Sequence, residues 1–299
     1  MKLIVLGANS FVGSNLISGF SSEPEIEIVN VSRSQSKRPS TISFAVPDDV
    51  GVLQQSVVEL IDRLNIDENT VVINCISMGD VDSCEMNQEQ CTLLNLEFVK
   101  SLYSNIKNRH FKMLIHFSTN AVYDGRNPPY SEMSECTPLN FYGRTKLSAD
   151  LFLLRANDKR VVVLRPITLF GRHVVGGRLN PVSFIVGKLV SDENLKLVDD
   201  VIVNILYVED LVRCVKQVMR TGFRGLLNVS GDQSMSRYEI GITIADILGK
   251  PATLIESVSS EQFPTIAKRP KDTSFNNSLM KSIGVSVTPF ELAVREIIL

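Results

Sequence analysis

The sequence is poor in metal-binding and cross-linking residues, and it lacks long apolar runs and any strong excess of one charge. Its five cysteines, Cys75, Cys84, Cys91, Cys136 and Cys214, form no Cys-x-x-Cys pair and show no ligand spacing with the three histidines. A scattered, odd-numbered set in a chain this long reads as reduced thiols, which fits a cytoplasmic protein with no bound metal. No segment reaches the roughly 18 apolar residues of a membrane span. The apolar opening, residues 1–6, is interrupted by Gly7, too early for a signal-peptide core. A formal net charge of −2 offers no field to attract nucleic acid or an anionic membrane. What the chain does have is core-forming material, with 44% hydrophobic against 21% charged residues over 299 positions. That suffices for one large domain, or for a nucleotide-binding domain with a smaller partner.

Short runs rich in β-branched and large apolar residues recur at 3–6, 26–31, 71–76, 113–117 and 161–164. They lack polar alternation, as strands buried on both faces do. Helical spacing fills the intervals at 11–20, 52–64, 91–106 and 142–154. This succession predicts an α/β fold, a Rossmann-type doubly wound parallel sheet, with ligands outside the carboxyl ends of its strands. Residues 1–170 are assigned to that dinucleotide-binding domain, with parts of 200–225 returning to it. Residues 171–299 are assigned mainly to a smaller C-terminal α/β lobe that binds substrate and covers the open edge of the site. Within it, helices are expected at 184–190, 209–219 and 237–248 and near Glu291, with a strand at 201–207 and an irregular stretch at 264–270.

The first strand leads directly into Gly7-Ala8-Asn9-Ser10-Phe11-Val12-Gly13 and a helix. A glycine at the strand end permits a sharp turn, and Gly13 permits close packing of helix on strand. Backbone N–H groups at the helix start then suit a pyrophosphate, so Gly7, Asn9, Ser10, Phe11, Val12 and Gly13 are cofactor candidates. Ser10 stands where a middle glycine is usual. The second strand ends without the carboxylate that bonds a ribose 2′-OH; Ser32 and Arg33 follow instead, with Lys37 and Arg38 nearby. A hydroxyl and a forked guanidinium suit a 2′-phosphate, which favours NADP(H), with NAD(H) as the alternative.

The strand at 113–117 ends at Ser118-Thr119-Asn120-Ala121, and Tyr142 and Lys146 follow four residues apart on one helical face. A phenol titrates near pH 10, and a neighbouring ammonium favours the phenolate, making Tyr142 a general acid or base near neutrality. Thr119 can hold a substrate oxygen and Lys146 the nicotinamide ribose. Thr119, Tyr142 and Lys146 are therefore the catalytic candidates.

The glycine turn, the strand-end threonine and Tyr-x-x-x-Lys together resemble the extended short-chain dehydrogenase/reductase superfamily. Ser118-Thr119-x-x-Val122-Tyr123-Asp124-Gly125, Pro129-Tyr130-x-Glu132 and Pro138-Leu139-Asn140-x-Tyr142-Gly143-x-Thr145-Lys146-Leu147 are similar to its dTDP-4-dehydrorhamnose reductase branch. Val81-Asp82-x-x-Glu85 with Asn95, and Arg269-Pro270-Lys271, extend the likeness over most of the chain. The resemblance implies an NAD(P)-dependent oxidoreductase of nucleotide-sugar and polysaccharide biosynthesis, in which Tyr142 protonates the sugar oxygen as hydride reaches the carbonyl carbon. It also implies that Cys75, Ile76 and Ser77 run along the cofactor, and Asn95 and Arg165 join the cofactor candidates. Related dehydratases carry Asp-Glu after the catalytic Thr; Asn120-Ala121 stand here, which argues against water elimination. The reductases usually have Asp and an aromatic there, so Asn120 and Ala121 mark a substrate that departs from the dTDP-rhamnose precursor.

Arg172, His173, Arg178 and Arg269, with Lys268, are candidates to neutralise a nucleotide diphosphate. Asp82 and Glu85 read as helix-start carboxylates rather than a metal pair, and Asp210 as an N-terminal helix charge. The leading expectation is reduction of a 4-keto-6-deoxy sugar nucleotide. A sugar-nucleotide epimerase, and a non-catalytic regulatory subunit like the β-subunit of methionine adenosyltransferase, stay open. Beyond a nucleotide-sugar substrate, no nucleic-acid or membrane partner is expected, and a homodimer is the default assembly.

Overall fold

The β-branched runs assemble into one seven-stranded, all-parallel sheet in the computed structural model, which describes residues 1–34, 41–172 and 179–298. Its strands are β1 (Lys2–Leu6), β2 (Glu27–Ser32), β3 (Thr41–Ser43), β4 (Thr70–Asn74), β5 (Met113–Phe117) and β6 (Val161–Pro166), followed, beyond four short strands of the second half, by β11 (Gly225–Val229). Their spatial order is β11-β6-β5-β4-β1-β2-β3. The reversal at β1 and β4 creates the crevice where such sheets bind ligands. Helices α1 (Phe11–Phe20), α2 (Val50–Leu64), α5 (Phe98–Ile106), α6 (Phe141–Arg155) and α8 (Val208–Thr221) cover the two faces; between α2 and α5 come the short α3 (Val81–Met86) and α4 (Gln88–Thr92) and a π-helical turn at Leu93–Glu97.

Two cores result, because successive side chains of a strand point to opposite faces. Leu3 and Val5 of β1 join Leu16 and Phe20 of α1 on one side. Ile4 and Leu6 join Val57 and Leu60 of α2 and Phe98 and Leu102 of α5 on the other. Register aligns the strand ends: Leu6 pairs with both Val31 and Asn74, and Asn74 with His116. The residues that follow these strands therefore emerge at one level.

The remaining chain forms a lobe over that edge. Among the described residues it contains three two-stranded pairings: β7 (Leu169–Phe170) with β10 (Leu206–Tyr207), β9 (Ile202–Val203) with β12 (Met235–Ser236), and β8 (Leu195–Val198) with β13 (Ile255–Val258). Helices α7 (Pro181–Val190), α9 (Arg237–Leu248), α10 (Ser278–Ser282) and α11 (Phe290–Ile298) complete it. α9 begins with a capping box in which the Ser236 hydroxyl accepts from Glu239 N–H and the Glu239 carboxylate accepts from Ser236 N–H. The stretch 201–207, expected as one strand, is split at Asn204. That side chain turns inward, donating to Ser230 Oγ, Gly231 O and Phe275 O and accepting from Phe275 N–H. From the 200–225 stretch α8 packs on the large sheet beside α1, and β11, starting at Gly225, forms its edge. Among the described residues no helix is long and apolar enough to cross a membrane.

Candidate active site

Gly7 leaves β1 with φ +84°, a left-handed conformation that favours glycine. A Cβ there would lie 2.9 Å from the Cys75 carbonyl, and one at Gly13 only 2.4 Å from the Gly7 oxygen. These two glycines thus set how closely the turn, α1 and the end of β4 approach one another. Ser10 caps α1 by accepting from Gly13 N–H at 3.0 Å. Ser10, Phe11 and Val12 line the cleft at the first turn of α1, where backbone amides have no intrahelical acceptor. Gly7 and Ala8 N–H both donate to Val31 O at 2.9 Å, tying the turn to β2. Beyond β2, Ser32 Oγ donates to Ser34 O at 2.6 Å, Asn9 reaches Ser34 Oγ, and Arg33 is exposed. Lys37 and Arg38 lie outside the described residues.

The cleft encloses about 870 Å³ and runs from this turn past the ends of β4 and β5 to the C-terminal lobe, a size common for small-molecule sites. Cys75, Ile76 and Ser77 line it after β4. Asn74 Oδ1 holds their course by accepting from Ile76 N–H at 3.0 Å. Asn95 is fully buried behind them, accepting from Met78 N–H and donating to Met78 O. It shapes the loop rather than facing the cleft.

Thr119 stands where β5 ends, and the short turn Asn120–Val122 follows. The start of α6 is brought against that turn by Gly143, whose missing Cβ would sit 2.2 Å from Ala121 O. Asn140 caps α6 through Gly143 N–H at 2.8 Å and donates to Lys268 O, while Glu85 accepts from Phe141 N–H. So held, Tyr142 faces the cleft beside Thr119. Burial pushes the Tyr142 phenol up to about 12, against the opposing pull of the Thr119 hydroxyl. Of the acid and base roles that the Tyr-x-x-x-Lys spacing leaves open, this raised pKa favours the acid: near neutral pH the phenol keeps its proton. Lys146, 1% exposed, donates to Phe117 O at 2.5 Å and stands 3.4 Å from His116 Nε2. Burial lowers its ammonium to about 8, with Asp150 opposing.

The other expected residues divide. Asn120 and Ala121 line the cleft, and Asn120 donates to Thr273 Oγ1 at 2.7 Å. Arg269 lines it too, with its guanidinium 3.0 Å from Asp82. Asp82 also accepts from Ala267 N–H, so Asp82 and Glu85 pin the lobe and α6; the cap of their own helix is Asp80. Among the described residues no group of three His, Cys, Asp or Glu could hold a metal. Arg165 is buried away from the cleft in an ion pair with Asp150 at 2.9 Å, and it donates to Tyr123 Oη. Arg172 donates to Glu296 O and is absent from the cleft wall. His173 and Arg178 fall outside the described residues. Asp210, expected as a helix-end charge, is buried and accepts from Thr288 N–H and Oγ1.

Two residues escaped the sequence reading. Arg237, the first residue of α9, lines the cleft with one buried guanidinium nitrogen that has no hydrogen-bond partner, and burial lowers it to about 10. Nothing local distinguishes it from a solvent-facing arginine. His116 was signalled, since a lone histidine interrupts the apolar run Met-Leu-Ile-His-Phe.

A doubly wound sheet with a glycine turn, Thr119 and Tyr142 at its crevice and Lys146 buried behind them defines an extended short-chain dehydrogenase/reductase, a class of NAD(P)-dependent oxidoreductases. The family model of the RmlD substrate binding domain matches residues 1–299, and the chain belongs to that family. It is 28% identical over 234 residues to methionine adenosyltransferase 2 subunit beta of Danio rerio, covering 76% of this chain and 71% of the relative. It is 26% identical over 218 residues to the probable low-salt glycan biosynthesis reductase Agl14 of Haloferax volcanii, covering 73% and 71%. Its fold matches that of the dTDP-4-dehydrorhamnose reductase of Bacillus anthracis solved with NADP, at a TM-score of 0.83 and 21% identity over 99% and 98% of the two chains.

Proposed function

We propose that this protein reduces a 4-keto-6-deoxy sugar nucleotide with NADPH. The observation that carries the reading is Thr119 and protonated Tyr142 on one cleft, with Lys146 buried one turn behind Tyr142 on α6 and no acid–base pair following Thr119. When bound, the dihydronicotinamide supplies the hydride. The first turn of α1 offers its amides to the pyrophosphate, and exposed Arg33 suits a 2′-phosphate. Lys146 holds the ribose. Thr119 orients the carbonyl oxygen, and Tyr142 gives it a proton as negative charge develops there. Arg237 answers the anionic diphosphate. The likeness to a probable glycan-biosynthesis reductase and to a reductase solved with NADP supports both substrate class and cofactor.

The test is absorbance at the NADPH band with purified protein and a panel of keto sugar nucleotides. Steady NADPH loss with one of them is expected; none with any would sink the reading. Likeness to a methionine adenosyltransferase β-subunit favours a second reading, a regulatory subunit. Co-purification with a synthetase, without turnover of any sugar nucleotide, would select it. An epimerase would instead release tightly held NAD on denaturation.

A further inference from the structure

His116 lies within buried β5 and takes no part in the steps above. Its Nε2 is 3.4 Å from Lys146 Nζ, and its Nδ1 is 3.2 Å from Asn74 Nδ2. The Asn74 amide has only one workable orientation. Its Oδ1 accepts from Ile76 N–H at 3.0 Å, and turning the amide over would set its NH2 against that N–H. Nδ2 therefore donates to His116, and Nδ1 is the acceptor. Burial, reinforced by the charge of Lys146, holds the ring's proton affinity well below the usual histidine range, so the ring is neutral. A neutral imidazole that accepts at Nδ1 carries its proton on Nε2. That N–H points at the lysine. It can donate to an amine but cannot accept from an ammonium.

We infer that His116 is a positioning residue for Lys146: fixed by Asn74 as the Nε2–H tautomer, it turns a donor toward the lysine and weakens that lysine's hold on its third proton. The effect on turnover rests on the cofactor-holding role proposed for Lys146; the tautomer does not. The other groups facing Lys146 come from several elements. Phe117 O accepts from it, Asp150 lies one turn along α6, and the thiols of Cys75, Cys84 and Cys91 look in from the end of β4 and from α3 and α4. Burial opposes the cation and Asp150 favours it, as the sulfurs do once ionised, which brings Lys146 to about 8, far below Tyr142 at about 12. The His116 N–H adds to the opposition. Cys91, whose sulfur accepts from Asn95 Nδ2 at 3.2 Å, is a rival, drawn down to about 7 chiefly by neighbouring Cys84.

Two measurements on the full chain test this. Long-range 1H–15N correlation of protein labelled at its three histidines, with His116 assigned by its loss in His116→Gln, should give the Nε2–H pattern from pH 6 to 9. An Nδ1–H or doubly protonated ring overturns the inference. NADPH affinity, followed by fluorescence, should weaken as pH rises through about 8. His116→Met, of similar bulk with no donor, should move that midpoint up by at least half a pH unit. His116→Gln, which can offer an acceptor to Asn74 and an NH2 to the lysine, should keep it. A midpoint unmoved in His116→Met, or one that follows Cys91→Ala instead, overturns the inference. If the tautomer and midpoint behave as expected while no keto sugar nucleotide is reduced, only the substrate reading fails.

Discussion

Tyr142 keeps its proton because burial outweighs every favourable contact of its charged form, and this fixes the direction of its chemistry as donation. Tyr142→Phe should lower turnover by at least about 100-fold, the usual weight of a general acid, while NADPH affinity stays unchanged. Retained turnover would show the tyrosine assignment to be wrong. Arg237 lines the same cleft from the start of α9. Arg269 and Lys271 also line the wall, but Asp82 and Asp200 already neutralise them. A guanidinium with a buried, unpartnered nitrogen is costly unless an anion completes it. Arg237→Gln should therefore raise KM for the sugar nucleotide about 10-fold or more, in line with loss of a charge-assisted hydrogen bond worth roughly 1.5–3 kcal/mol, with KM for NADPH unmoved. A matching rise in both would place Arg237 elsewhere in the reaction.

Among the elements, α6 matters most, because its first turn carries Tyr142 and its second Lys146. Its position depends on the close approach of Gly143 to the Ala121 carbonyl. Gly143→Ala puts a methyl against backbone that cannot swing aside. The expected cost is about 1–3 kcal/mol of stability together with most of the activity, measured by urea unfolding and NADPH turnover; a stable, fully active variant would contradict this geometry. Farther along, Asp150 ties α6 to β6 through Arg165, with Ser118 Oγ donating to the same carboxylate at 2.8 Å. Arg165→Leu strands a buried carboxylate and should cost about 3–5 kcal/mol. NADPH affinity per folded molecule should not change, whereas a cofactor-binding arginine would lose it.

For the molecule as a whole, the site exists only because the lobe closes over the strand ends. Asp82 holds Arg269 and Ala267, Asn120 holds Thr273, and Asn140 holds the Lys268 carbonyl. A ligand that spans the cleft bonds to both parts and should stabilise them together. At 100 times its Kd, NADPH should add about 2.7 kcal/mol, and the correct sugar nucleotide should raise Tm further. A Tm that responds to the sugar nucleotide but never to NADPH would argue against a shared cleft.

The sequence by itself determined the five inner strands of the sheet, because strands buried on both faces must be apolar throughout; the edge strands β3 and β11, partly exposed, carry no such signal. Residues 113–117 and the helices 11–20 and 237–248 have the ends that their patterning predicts. Local spacing on one strand end and one helix was also enough to group Thr119, Tyr142 and Lys146 as candidates. Tertiary structure decided what spacing cannot encode. Burial keeps the proton on Tyr142, an ion pair drew Arg165 away from the cleft, and the folding of the lobe brought Arg237 to it. Charge, desolvation and partnership depend on neighbours distant in the chain: Asp150 is 15 residues from Arg165, and β9, which pairs with the strand leading into Arg237, comes some thirty residues earlier. The short pairs of the lobe were the least legible for the same reason, their register being set by side chains such as Asn204 that bond across 26 to 71 residues.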